Sequence, residues 1–403
     1  MHRAKKDAAE AVGEAAGVCR HNESQRWLDM RVGSPEDCYR DPPVVPQPPT
    51  SSATEESEDF SLLATLLAEQ EEIRSRNTLN FQALQIRPKD EEAGVAAALT
   101  PAELRSAYEG STALVVGGTR GIGKSIASTL SAAGAAVVVV GRSAAPPGGV
   151  AADLSTAAGC KALVDELSTA GSSSGLVARN GFSFVVLTAG VWPDPSSPYT
   201  ADGVDKVIAI DLLARHVLLT RLSAAGLLAA KCSVMAVLAS GQWLPGPVVG
   251  DAEAIKERLA AAVLPRPLPT PPPSGSVATG MRLMLTAAVA HDVWLMGMGG
   301  RLPDGVTLLS TFPGLLVSDL MASTFPSWLV PLLQGAMAPL ADSAETMGAN
   351  HAAVLAAATS RRAGRATYWA APLLEARRPH PLAEDAALGA WLLEWLDGLA
   401  EAA

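Results

Sequence analysis

Aromatic residues are scarce in this 403-residue chain, at 4% of the total. Any core must therefore be aliphatic and closely packed. Charged residues are also few, at 18%, against the roughly 25% of ordinary soluble domains. Basic residues are outnumbered, Lys+Arg 31 against Asp+Glu 41, for a net charge of −10. A chain this acidic lacks the counter-charge needed to track a phosphate backbone, so a nucleic-acid partner is excluded. The four cysteines are Cys19, Cys38, Cys160 and Cys232, far apart and without a CxxC. That spacing supports neither a zinc ribbon nor a disulfide framework, and it fits a reducing compartment. The six histidines form no HxxxH or HExxH, so no metal site is expected. The N-terminus has no apolar signal core, and Asp7, Glu10 and Glu14 argue against a transit peptide. A cytoplasmic location is the expectation, with organelle targeting left open. Leu320 to Ala341 carries no charge, but Pro326, Pro331 and Pro339 interrupt it, so a buried or substrate-facing segment is expected rather than a membrane span.

What is abundant is aliphatic: 48% of the residues are hydrophobic, enough for a large core. Residues 1–58 read as a disordered tail, with Pro42, Pro43, Pro46, Pro48 and Pro49 ahead of a polar, acidic run. Residues 59–110 read as a helical extension. Leu63, Leu66, Leu67 and Ile73 recur at helical spacing there, and Thr100-Pro101-Ala102-Glu103 has the form of a capped helix start. Residues 111–375 then alternate short apolar strands with helices, which predicts a parallel, doubly wound sheet in a three-layer α/β/α sandwich. The expected strands are Ala113–Val116, Ala136–Val140, Val150–Ala152, Phe182–Thr188, Ser233–Leu238, Val306–Thr311 and Thr367–Ala370. Val204–Ala224, Val277–Val293 and Ala344–Ala357 are the main expected helices. A proline-rich insertion at 264–275 should be extended and exposed. Residues 376–403 form an expected C-terminal helix, with Leu388, Leu392, Trp395 and Leu399 along one side.

The first strand ends in Gly117-Gly118-Thr119-Arg120-Gly121-Ile122-Gly123 and a helix follows. Glycines in that place let the backbone turn tightly and let phosphate oxygens approach the helix N-terminus. With this turn, residues 112 to 360 resemble the short-chain dehydrogenase/reductase family, a Rossmann-type fold. The resemblance implies that Gly117, Thr119, Arg120, Gly121, Ile122 and Gly123 cradle a dinucleotide. It implies that Asp153 and Leu154, after the third strand, lie at the adenine, and that Ala189-Gly190, after the fourth, lie beside the cofactor ribose. Ser240 in Leu238-Ala239-Ser240-Gly241 resembles the family's catalytic serine. Pro313-Gly314 resembles the loop after the sixth strand, where Ser318 would stand near the nicotinamide. Asp211 falls where the family has an asparagine of its catalytic set. Arg142 ends the second strand, where NAD-using enzymes usually place an acid. With Arg120 it points to the 2′-phosphate of NADP rather than to NAD.

One expected feature is missing. The family's tyrosine and lysine pair, YxxxK, should open the helix before the Pro-Gly loop, and no tyrosine lies between Ser240 and Pro313. A phenol near pKa 10 needs that neighbouring cation to serve at neutral pH. Lys256, Glu253, Asp211, Ser240 or water are the candidate substitutes, with Tyr199 a weaker one. Lys256 and His216 also read as surface and structural residues. Trp192 and Trp243 follow the fourth and fifth strands and could line an apolar pocket. Three readings therefore stay open. One is an NADP(H)-dependent oxidoreductase for an apolar carbonyl or alcohol, a small-molecule substrate. Another is a catalytically impaired dinucleotide-binding protein that acts as a sensor or scaffold. A third binds no nucleotide and keeps the fold for packing alone; the intact turn, Arg142, Asp153 and Ala189-Gly190 weigh against it. The resemblance also implies a homo-oligomer.

Overall fold

The computed structural model describes residues 99–142, 149–173, 180–238, 250–314, 319–337, 343–359, 366–371 and 374–402. The expected tail and most of the helical extension lie outside these residues, as do Ser240, Trp243 and Ser318.

Helix α1 (Pro101–Tyr108) starts at Thr100 with a complete capping box. The Thr100 side chain accepts from Glu103 N, and Glu103 reaches back to Thr100 N at 2.8 Å. Strand β1 (Thr112–Val116) leads into α2 (Gly121–Ala132), followed by β2 (Ala136–Gly141), β3 (Val150–Ala151), α3 (Ala157–Ser173) and β4 (Phe182–Leu187). A turn of helix, Lys206–Ile208, and a π-helical stretch, Ala209–Leu213, run into α4 (Ala214–Ala224). Next come β5 (Leu228–Val237), α5 (Ala252–Ala261), α6 (Val277–Met298) and β6 (Thr307–Phe312). Helices α7 (Val330–Met337) and α8 (Ala344–Thr359), strands β7 (Ala366–Ala370) and β8 (Glu375–Arg377), and α9 (Ala386–Ala402) complete the order.

The sheet runs β3-β2-β1-β4-β5-β6-β7-β8. All pairings are parallel except β7 with β8. The doubly wound α/β architecture is thus as expected, with an additional antiparallel edge strand. That strand is three residues long, and the Glu375–Arg377 ion pair gives it a charged signature that hides a strand. Strand β5 begins five residues earlier than its sequence suggests, at Leu228.

Every residue of β1 is buried, as a strand covered on both faces requires. Leu114 and Val116 join Val138, Val185, Val234 and Leu308 under α3, α4, α6 and α9, while Ala113 and Val115 join Val139, Phe184, Met235 and Leu309 under α2 and α8. Few aromatics serve this core, and small residues bring its helices close. A Cβ at Gly348 of α8 would overlap the Ser125 side chain of α2. Helix α9 lies on α6 through Leu388, Leu392, Leu393 and Leu396, all buried. The buried stripe thus departs from the expected one: Trp395 and Leu399 sit on its flank, half-buried, because the i, i+4, i+8 line from Leu388 reaches Leu396 instead. The proline-rich segment is exposed from Pro265 to Gly275 apart from Leu268, which packs at Gly203. Among the described residues no helix is long and apolar enough to cross a membrane.

Candidate functional site

The strand order reverses between β1 and β4, and open α/β sheets leave a crevice at the C-terminal ends of strands where this happens. The glycine turn lies there. Gly117 N and Gly118 N both donate to Val140 O, at 2.8 and 3.1 Å, which latches the turn to the end of β2. Gly117 has φ +90°, and a Cβ on it would overlap the backbone of Ala189. A Cβ on Gly123 would overlap Gly117 O and Thr188 Oγ1. Thr188 Oγ1 and Ala189 N in turn both donate to Val116 O, at 2.9 and 3.0 Å. The ends of β1, β2 and β4 thereby form one backbone unit with no room for side chains.

Arg120 is the N-cap of α2, in extended conformation and with no side-chain cap. Helix α2 therefore offers its first N–H groups, from Gly121 onward, to whatever lies above the turn. Thr119 packs against Gly141, at the last residue of β2, where a Cβ would overlap it. Arg120 and Arg142 are both exposed, and no described carboxylate pairs with either. Ile122 is half-buried against the core. Beyond β3, Ala152 N donates to Gly141 O at 2.9 Å, which draws the chain toward the end of β2. Asp153 is exposed there and accepts from Ser155 N at 2.9 Å, while Leu154 packs on the core. Pro313 and Gly314 follow β6, half-buried, with Gly314 at φ +76°. The described members of the predicted cofactor set thus follow the C-terminal ends of β1, β2, β3, β4 and β6, on one side of the sheet.

Asp211 sits in the π-helical stretch, 2% exposed. Such stretches frequently occur at functional sites. Its Oδ1 accepts from Val191 N at 3.2 Å and lies 3.2 Å from where a Cβ of Gly190 would be. Burial pushes its carboxyl up to about 7, with Arg215 and the Val191 N–H opposing and Asp205 adding to the rise. Arg215 lies one helical turn on and is also buried. Its NH2 donates to Ala189 O at 3.0 Å and Val237 O at 2.9 Å, and its NH1 meets His291 Nε2 of α6 at 3.2 Å. Burial and the Arg215 charge hold His291 well below the ordinary histidine range, so Nε2 accepts as a neutral ring. Sequence reasoning missed Arg215 and His291. The two lie 76 residues apart and meet only through packing, so no local pattern in the sequence pointed to the pair.

The face of α6 toward this cluster is defined by Gly280, where a Cβ would overlap Pro193 after β4, and by His291 against Arg215. Helical spacing puts Met284 and Ala287 between them. Neither tyrosine nor lysine occurs anywhere in Val277–Met298. Tyr108 and Tyr368 are buried, donating to Ala352 O and Asp292 O. Tyr199, in the loop after β4, bridges to Asp205, and burial raises its phenol still further, making it a weaker acid. Lys256 is tied to Glu253 at 2.7 Å and stands over the Trp391 ring. His216 is buried between Asp397 Oδ1 at 2.8 Å and Trp294 Nε1 at 3.3 Å, a structural use. Trp192 meets Phe325 edge-on at 6.3 Å, and Thr324 Oγ1 donates to Pro193 O at 2.6 Å. The apolar segment after β6 thus closes on the loop after β4, leaving Leu320, Trp328 and Leu332 exposed.

Residues 111–237 match the family model described as short chain dehydrogenase. Over that stretch, about a third of the chain, the sequence is similar to the short-chain dehydrogenase/reductase family. This family match spans β1 through β5, the half that holds the glycine turn, Asp211 and Arg215. No curated protein matches the sequence. Among solved structures, the chain is similar to an uncharacterized protein from Mycobacterium paratuberculosis, at 16% identity over 76% of this chain and 98% of that one, with a TM-score of 0.49. It is also similar to an oxidoreductase from E. coli, at 16% identity over 66% of this chain and 97% of that one, TM-score 0.44. A short chain dehydrogenase from Burkholderia cenocepacia in complex with NADP is 20% identical over 66% of this chain and 98% of its own, TM-score 0.43. These are remote likenesses in chain course.

Proposed function

We propose that this protein is a short-chain dehydrogenase/reductase that binds NADP(H) at the glycine turn and uses it on an apolar carbonyl or alcohol. The observation that carries the reading is the cradle itself, a backbone surface at Gly117, Gly123 and Ala189 that any Cβ would fill, beneath an uncapped helix N-terminus. Its shape and its free N–H groups suit a pyrophosphate. Arg120 and Arg142 would take the 2′-phosphate through charge-assisted hydrogen bonds. Asp153 and Leu154 would lie at the adenine, Ala189 and Gly190 at the ribose, and Pro313, Gly314 and Ser318 at the nicotinamide. The bound cofactor supplies hydride transfer, and the protein supplies orientation and a proton. Ser240 would orient the substrate oxygen. Asp211, with its carboxyl raised to about 7, holds a proton near neutrality at the edge of the Ala189-Gly190 turn. Trp192 and the segment closing on it would supply the apolar wall of the substrate pocket. Residues 111–375 would be the nucleotide-binding domain, with 59–110 and 376–403 as additions to it.

A second reading has its own observation. The inner face of α6 carries Gly280, Met284 and Ala287 in place of a tyrosine and lysine, as expected of a protein that binds the dinucleotide and signals its presence without turnover. Single-turnover oxidation of bound NADPH by a panel of apolar aldehydes and ketones separates the two. Oxidation supports the enzyme, and tight binding without oxidation of any of them supports the sensor. For cofactor choice, Arg142→Glu should weaken NADPH by about tenfold or more, the worth of one charge-assisted hydrogen bond, and leave NADH nearly unchanged. Calorimetry on both nucleotides measures this, and equal losses would remove Arg142 from the 2′-phosphate.

A further inference from the structure

We propose that Arg215 is a positioning residue of this site: it pins the ends of β4 and β5 together and supplies, from inside the fold, the fixed positive charge beside Asp211. The inference rests on the reading of Asp211 as the group that holds the proton. One guanidinium nitrogen donates to Ala189 O, at the residue before Gly190, and to Val237 O, at the last residue of β5. One side chain therefore ties the last residue of β5 to the Ala189-Gly190 turn after β4, which carries predicted site residues. A buried guanidinium needs such partners, because leaving it unpaired costs several kcal/mol. Its other terminal nitrogen is held by His291, which stays neutral and so takes no charge away from Arg215.

The neighbourhood leaves Arg215 as the cation within reach of Asp211 among the described residues. On the same helix Asp205 is the further charged group acting on Asp211, and it is acidic. From α6 comes the neutral His291, while Asp292 faces His380 N and the Tyr368 side and the Arg282 charge acts on Arg258. From α9 comes Asp397, already held by His216 and Arg301. The end of β4 contributes backbone alone, Val191 N and Gly190. Asp211 and Arg215 form no direct ion pair, so the charge acts on the carboxyl without locking it.

The test is the ionisation of Asp211 in the full chain without nucleotide. Aspartate labelled with carbon-13 at the carboxyl is followed by NMR against pH, and Asp211→Asn identifies the resonance by its loss. Arg215→Gln keeps a donor for the strand carbonyls and removes the charge. It should move the Asp211 midpoint upward by about one pH unit or more. Arg215→Lys keeps the charge and should restore most of the wild-type midpoint. A structural role alone would lower the melting temperature of both variants and leave the midpoint in place, so an unchanged midpoint in Arg215→Gln overturns the proposal. So does an equal shift in the Gln and Lys variants. NADPH binding is read separately by calorimetry. A protein that shows the midpoint shift and binds no NADPH would refute the cofactor reading while leaving the electrostatic role of Arg215 standing.

Discussion

Gly123→Ala is expected to cut dinucleotide affinity by about a hundredfold or more, because a single methyl group there overlaps both Gly117 O and Thr188 Oγ1. Those atoms are part of the backbone unit that joins β1 to β4, so the turn must shift to accommodate it. A shift of under 1 Å in groups that position a ligand can cost this much. Overpacking of this kind also costs about 1–3 kcal/mol of stability. Gly121→Ala is the control. Gly121 has φ +55°, but a Cβ there meets nothing within 4 Å. Its cost is the left-handed backbone alone, about 1–2 kcal/mol. Calorimetric titration with NADPH, beside circular dichroism to confirm the fold, should show the large loss in Gly123→Ala and a much smaller one in Gly121→Ala. Similar affinities for the two variants would mean that the nucleotide does not sit on this turn.

Asp211→Asn should stabilise the protein above neutrality, by an amount on the order of 4 kcal/mol at pH 8. The folded carboxyl titrates near 7, above its ordinary value of 3.8, because burial disfavours its charge. The native state therefore holds a proton that the unfolded chain has released. The stability this contributes is fully present below the unfolded pKa and is lost as pH rises through about 7. Asparagine removes that loss and can still accept from Val191 N. The melting temperature of the wild type should fall between pH 5 and pH 8 more steeply than that of the variant. Asp205, raised to about 6 by burial, shares the sign and remains in both proteins. Identical pH profiles would contradict the buried, protonated state of Asp211. If the protein also turns over a substrate, the same variant should slow the proton-dependent step while binding NADPH normally.

The contrast between these two sites shows what a sequence displays. The glycine turn was legible because its constraints are local. Gly117 and Gly123 are required by close approach to the end of β4 and to each other, Gly121 by its positive φ, and the spacing 117, 121, 123 records that directly. The parallel, doubly wound sheet followed from the alternation of apolar runs and helices. Arg215 and His291 are 76 residues apart and meet through tertiary packing, so neither had a local pattern to betray it. The π-helical stretch at Asp211 was invisible for a related reason: Val207, Ile208, Ala209, Leu212 and Leu213 are buried, the one polar residue among them, Asp211, is buried as well, and so the run carries no polar face from whose phase a widened turn could be read. Strand β8 hid behind two charged residues that pair with each other. The absence of YxxxK was plain from sequence. Which residues α6 turns toward Arg215 and Pro193 needed the structure.

The central claim is that the cradle at the ends of β1, β2 and β4 holds NADP(H). Titration of the purified full-length protein with NADPH and, in parallel, with NADH tests it most directly, followed by calorimetry or by nucleotide fluorescence. Saturable 1:1 binding of NADPH, at least about tenfold tighter than NADH as Arg120 and Arg142 require, is the predicted result. Failure to bind either nucleotide would contradict the account.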